Sequence, residues 1–147
     1  MEDRSPGAGE IIDGPPLEDQ LEVFWYANHL GLRVGGRRYQ MTRRGPRSTN
    51  FARWLSARLR SHPEPIQALT LQASPAQLAE VVGYFEALRE SGSEYQHLYR
   101  NCAQVTCSAL RSAGLPAPPR LLAWLPPLAF FWLRWRAGAR ARRTYAP

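Results

Sequence analysis

Apolar and polar residues first alternate at Leu21–Ala27 (LEVFWYA), a run rich in aromatic and branched side chains that predicts a strand. In the following NHLGLRVGGRRYQM, two alternating runs flank Gly35-Gly36. A Gly pair between such runs predicts a two-residue hairpin with a type I′ turn, which needs positive φ at both central positions. Pairing Val34 with Arg37 then sets Leu32 against Tyr39, Gly31 against Gln40, Leu30 against Met41 and His29 against Thr42. Side chains alternate along a strand, so Leu30, Leu32, Val34, Tyr39 and Met41 share an apolar face. His29, Gly31, Arg33, Arg38, Gln40 and Thr42 share the other, where His29 and Gln40 are diagonal neighbours and Gly31 leaves room above them. On the hairpin alone, that second face reads as solvated.

Residues 43–49 (RRGPRST) read as a basic loop. Ser48, Thr49 or Asn50 can then cap a helix carrying Phe51, Trp54, Leu55 and Leu59 at amphipathic spacing. That helix stops near His62-Pro63, with His62 as its C-terminal cap, and Pro65–Leu71 (PIQALTL) reads as a further strand. Ser74-Pro75-Ala76-Gln77 starts another helix, buried along Leu78, Val81, Val82, Phe85 and Leu88 and ended by Gly92. A third begins after Asn101, an N-cap with Gln104 three residues on as in a capping box, and stops at Gly114 and Pro116. These elements predict an α+β fold, a small antiparallel sheet with helices packed against it. Residues 1–20 read as a flexible acidic Pro/Gly-rich tail, 21–119 as the domain, and 120–147 as an apolar and basic C-terminal segment.

That segment has two readings. Leu121–Leu133 is too short to span a bilayer and is split by Pro126-Pro127. Either its Trp and Arg residues suit a membrane interface, or Leu121–Trp135 packs back on the sheet ahead of a solvated basic end.

Charge sharpens the picture. All 19 basic residues are Arg, and the net charge is +7. Seven acids crowd into the first 22 residues, residues 29–60 hold nine Arg and no acid, and the chain from Arg100 onward holds eight Arg and no acid. Such a surface attracts anions, with an anionic membrane as a candidate partner. No nucleic-acid-binding motif accompanies it, so nucleic acid is not expected. No positively charged stretch precedes an apolar core at the N-terminus, so no export signal is expected, and the reading is cytoplasmic or peripheral at the membrane. The two cysteines lie about 140° apart on one helix, which excludes a bridge between them, and no Cys/His cluster has zinc spacing. Neither metal nor cofactor is expected.

Cys102 falls in the first turn of the third helix, where unsatisfied N–H groups and the dipole favour the nucleophilic thiolate. A buried structural cysteine is the plainer alternative, since free Cys is among the most buried residue types. Cys107 and Tyr99 read as packing around the sulfur, and His97 as a structural or surface histidine that could approach it.

The order of parts resembles the circularly permuted papain-like, NlpC-type superfamily, which includes the lecithin:retinol acyltransferase-like proteins, the PPPDE deubiquitinase-like peptidases and the YiiX-type hydrolases. NHLGLRVGG resembles the family's His-bearing strand, RRYQM the strand after it, and YRNCAQVTCSAL the late Asn-Cys helix, over about Leu21 to Pro116. The resemblance implies a permuted papain-like core with His29 as base and Cys102 as nucleophile. Gln40 stands where the acyltransferase-like branch carries a second His, and would hold the imidazole as third member of a triad. Arg33 is a departure, in a strand usually apolar or neutral there. The implied activity is cysteine-dependent acyl transfer or hydrolysis of an ester or amide through a thioester, on a lipid or on a peptide or isopeptide. A non-catalytic membrane- or protein-binding module is the competing class.

Overall fold

The Gly35-Gly36 turn sets the register on which the sheet is built. In a computed structural model, which describes residues 10–11, 21–95, 101–136 and 141–146, Val34 pairs with Arg37, Arg33 with Arg38 and Leu32 with Tyr39, as the turn requires. Only Gly35 takes positive φ, 56°, which is the pattern of a type II′ turn rather than the expected I′. The β3–β4 ladder ends at Leu32–Tyr39. The expected pairs of Gly31, Leu30 and His29 with Gln40, Met41 and Thr42 lie beyond it, although both strands continue.

The elements in chain order are β1 (Glu10–Ile11), β2 (Leu21–Tyr26), β3 (His29–Val34), β4 (Arg37–Thr42), β5 (Gly45–Asn50), α1 (Phe51–Ser61), β6 (Ile66–Leu71), α2 (Pro75–Glu90), α3 (Cys102–Ser112), α4 (Pro126–Arg136) and β7 (Ala141–Tyr145). The sheet order is β1-β7-β6-β2-β3-β4-β5. The two-residue β1 pairs parallel with β7, and the other six strands are antiparallel. The fold is thus α+β.

Two stretches not expected to be strands join the sheet. GPRSTN forms β5 because, at an edge, Pro46 and polar side chains cost the ladder little; Arg37 clips it in place through Ser48. The basic end expected to be solvated contributes β7, paired with β6 from Thr70–Ala141 to Ile66–Tyr145. The sheet therefore extends well past the boundary expected at residue 119.

Local signals start the helices as the sequence predicts. Asn50 accepts from the Arg53 N–H, and Ser74 with Gln77 and Asn101 with Gln104 both close capping boxes. Each cap is worth about 1 kcal/mol. On one face of the sheet Leu21, Val23, Leu30, Leu32 and Tyr39 pack with Val81 and Phe85 of α2, Val105 and Leu110 of α3, and Phe130 and Leu133 of α4. Fully burying each Phe or Leu contributes about 1.5–3 kcal/mol.

The other face, expected to be solvated, is covered by α1. Phe24 and Tyr26 pack there with Phe51, Trp54 and Tyr145. The room expected above Gly31 is filled by the Phe24 ring, into which a Cβ at position 31 would project. Arg33 is fully buried in this layer. Its guanidinium lies 3.1 Å from the Glu22 carboxylate and donates to the Gly35 carbonyl, while Arg143 approaches the same carboxylate at 3.2 Å and the Tyr145 hydroxyl donates to it at 2.7 Å.

Candidate active site

Helix α3 runs along β3, and its first two turns read the strand's backbone. The Cys102 thiol donates to the Asn28 carbonyl at 3.6 Å, and the Thr106 hydroxyl donates to the Leu30 carbonyl at 3.4 Å. Four residues of helix rise about 6 Å and two residues of strand about 6.6 Å, so positions 102 and 106 match carbonyls 28 and 30. The sulfur is therefore held against the Ala27-Asn28 turn that leads directly into His29.

That turn is locally strained. Ala27 takes φ 48°, in the left-handed region that a Cβ disfavours by about 1–2 kcal/mol. The Trp25 indole N–H donates to the Ala27 carbonyl at 2.8 Å and helps hold the turn. At the other end of the site, the Asn101 amide donates to the Trp124 carbonyl at 3.0 Å while its oxygen caps α3, which ties the chain ahead of α4 to the start of the Cys102 helix.

Cys102, His29 and Gln40, contributed by α3, β3 and β4, line one cavity of about 560 Å³. The rest of its wall includes Tyr26, Arg38, Arg43, Arg58, Trp124 and Leu125. The three residues singled out by sequence are thus in one place, but their bonds differ from expectation. Gln40 does not bond the imidazole. Buried, with 1% of its surface exposed, it donates to the Tyr26 oxygen at 3.2 Å and accepts from the Arg38 guanidinium at 3.0 Å. The Tyr26 ring in turn lies against His29, with centroids 5.1 Å apart. Gln40 therefore reaches His29 only through Tyr26.

His29 stands exposed at the edge of the cavity, and among the described residues its ring nitrogens have no hydrogen-bond partner. Partial desolvation where the ring meets the cavity wall, and then the positive charges of Arg58 and Arg43, hold its pKa below the ordinary imidazole value. Cys102 moves the opposite way. Burial pushes its thiol up, and the backbone N–H groups of Leu30, Ala103 and Cys102 bring it only part of the way back. Desolvation opposes the thiolate expected at the helix start, and both shifts favour the neutral forms, thiol and imidazole. Cys107, fully buried and pushed up to about 12, is inert packing.

Tyr26, Arg38, Arg58 and Trp124 escaped sequence reading as site residues. Only Tyr26 carried a signal, its place beside the His29 turn. His97 and Tyr99 lie outside the described residues. His62 caps α1, its N–H donating to the Arg58 carbonyl at 2.8 Å. Among the described residues no group of three His, Cys, Asp or Glu could hold a metal ion, and no helix is long and apolar enough to cross a membrane. No protein-family model, curated protein or solved structure matches the chain.

Proposed function

We propose that the chain is a cysteine-dependent acyl hydrolase or acyltransferase with a permuted papain-like core, cleaving an ester or amide through a thioester on Cys102. The observation that carries this reading is that Cys102, His29 and Gln40, from three separate elements, line a single cavity. The bias of both groups towards their neutral forms favours general-base attack over a standing ion pair. As Sγ bonds the substrate carbonyl carbon, the thiol proton passes to the His29 imidazole, and the carbonyl oxygen gains charge near the N–H groups of α3's first turn. Collapse breaks the bond to the alcohol or amine, which leaves with the proton from His29. Water or another acceptor then attacks the thioester and releases the acyl group, restoring the thiol.

A lipid acyl donor is favoured over a peptide by a second observation. Leu121, Trp124, Leu125, Leu128, Phe131 and Trp135 recur at helical spacing and are exposed, Leu121 at 90% and Trp135 at 65%, while Ala129, Phe130 and Leu133 fill the core behind them. Arg120, Arg134 and Arg136 flank this stripe, and the chain from Arg100 onward carries no acid. The occupant that fits is an anionic bilayer surface, on which the stripe lies flat. Trp124 and Leu125 belong to both stripe and cavity, so docking there brings the cavity to the bilayer.

The test is alkylation by iodoacetamide at neutral pH, with Cys107 as internal control. Wild type is expected to be modified at Cys102, Cys102→Ser to lose that modification, and His29→Ala to slow it about 10²-fold. Equal modification of wild type and Cys102→Ser, or an unchanged rate in His29→Ala, overturns the reading. Co-sedimentation with phosphatidylglycerol vesicles is expected to fall sharply when Leu128, Phe131 and Trp135 are replaced by Ser, and no difference removes the bilayer from it.

A further inference from the structure

The cavity around Cys102 has three guanidinium groups in its wall and, among the described residues, no carboxylate. Arg38 is locked in place. Its Nε donates to Thr49 at 3.1 Å, its Nη1 donates to Gln40 at 3.0 Å, and its guanidinium lies 4.8 Å from the Trp54 ring centre. Arg58 stacks on Tyr26 at 4.5 Å, and Arg43 sits in the turn between β4 and β5. None of the three forms an ion pair with a described residue.

We propose that Arg43 and Arg58 form an anion subsite beside the thiol, and that the acyl compound acted on carries a phosphate or carboxylate that occupies it. This rests on the reading of Cys102 as nucleophile and narrows its substrate to an acyl compound with an anionic group. The planar donor fork of Arg matches both oxyanions and binds them with two parallel hydrogen bonds. A ring-stacked guanidinium such as Arg58 is already oriented, so little side-chain entropy is lost when the anion arrives. Trp124 and Leu125 offer apolar wall in the same cavity for the hydrocarbon part.

The subsite also bears on the base. The titratable or charged groups lining the cavity with His29 are Tyr26, Arg38, Arg43, Arg58, Tyr95 and Cys102. Of these, Arg58 and Arg43 are the ones whose charge depresses His29. An anion seated on them cancels that field, so His29 gains proton affinity when substrate is bound. The substrate thereby helps to make its own base.

The test uses the full chain with His62→Gln and His97→Gln, leaving His29 as the one imidazole to follow by proton NMR. Inorganic phosphate and acetate are titrated against chloride at matched ionic strength. The expected result is a saturable upward shift of the His29 titration with phosphate or acetate but not with chloride. In Arg43→Gln/Arg58→Gln the titration starts higher, moves no further, and binding weakens about tenfold or more. Arg43→Gln alone, at an exposed turn, gives the smaller part of this effect should the pair fail to fold. The same shift in both proteins, or the same shift with chloride, overturns the subsite. Glycerol 3-phosphate and a short-chain phosphatidic acid, compared in parallel, separate the sources: tighter binding of the lipid assigns the anion to a lipid headgroup, and equal binding assigns it to a soluble phosphate. A phosphate shift through both arginines with alkylation indifferent to His29 keeps the anion site and removes the hydrolase. The reverse pair of results removes the subsite alone.

Discussion

Two clusters of arginine, one buried under α1 and one around the Cys102 cavity, are built to opposite rules. Arg33 and Arg143 converge on Glu22, with Tyr145 donating to the same carboxylate, so the buried positive charge meets a buried negative one. Arg38, Arg43 and Arg58 converge on the Cys102 cavity with no carboxylate among the described residues. Where charge serves only the fold, a counter-ion comes with it, because an unpaired buried ion costs several kcal/mol. Where no carboxylate joins them among the described residues, the groups keep some contact with water. The difference sets a structural ion cluster apart from the arginines proposed to receive an anion.

The sharpest way to break the comparison is to remove the acid. Glu22→Gln takes away the carboxylate that Arg33 and Arg143 share, and is expected to lower unfolding free energy by about 3–5 kcal/mol, read from urea denaturation. A loss below 1 kcal/mol would mean that the two clusters do not differ in kind. Tyr145→Phe removes one hydrogen bond to a charged acceptor and is expected to cost about 1.5–3 kcal/mol at neutral pH. It also carries a pH signature. Burial and the Glu22 charge push the Tyr145 phenol from 10.0 up to about 12. A folded pKa raised above the unfolded value gives stability that is whole below pH 10 and drains away as pH rises towards 12. Cys107 contributes to the same alkaline loss, its thiol moving from 9.0 to about 12. The Tyr145 share is therefore the difference between wild type and Tyr145→Phe across that window, and identical alkaline unfolding curves would deny it.

Much of this arrangement was legible before any coordinates. The hairpin register beside the turn and the caps of α1, α2 and α3 follow from local rules, a Gly-Gly turn, period-two alternation and capping chemistry, whereas the placing of Cys102 with His29 and Gln40 was only what the resemblance implied. What was not legible depends on neighbours distant in sequence. Glu22 and Tyr145 are 123 positions apart, and neither GPRSTN nor ARRTY has the apolar alternation of a strand. They pair because an edge and a waiting partner are present, which is tertiary context overriding propensity. The face of Arg33 and Gln40 looked solvated for the same reason, since its cover comes from α1 and β7. The thiol's bias towards its neutral form was missed because a helix start argues for thiolate, while the depth at which that start is buried cannot be seen in the sequence.

The mildest test falls on the unpaired cluster. Arg58→Gln removes a cation stacked on Tyr26, a contact worth about 0.5–1 kcal/mol at a partly exposed site. It also removes one of the three positive charges lining the cavity, which gives some of that back. The net change in stability is expected to stay within about 0.5 kcal/mol of wild type, against the several expected for Glu22→Gln. The two variants each delete one charge, a fully buried one paired to two arginines in Glu22 and a half-buried one without an ion pair among the described residues in Arg58, so the contrast compares the two clusters as they are built. Should Arg58→Gln destabilise the fold as strongly as Glu22→Gln, the arginines around the thiol are structural after all, and the uncompensated charge no longer argues for an anionic substrate.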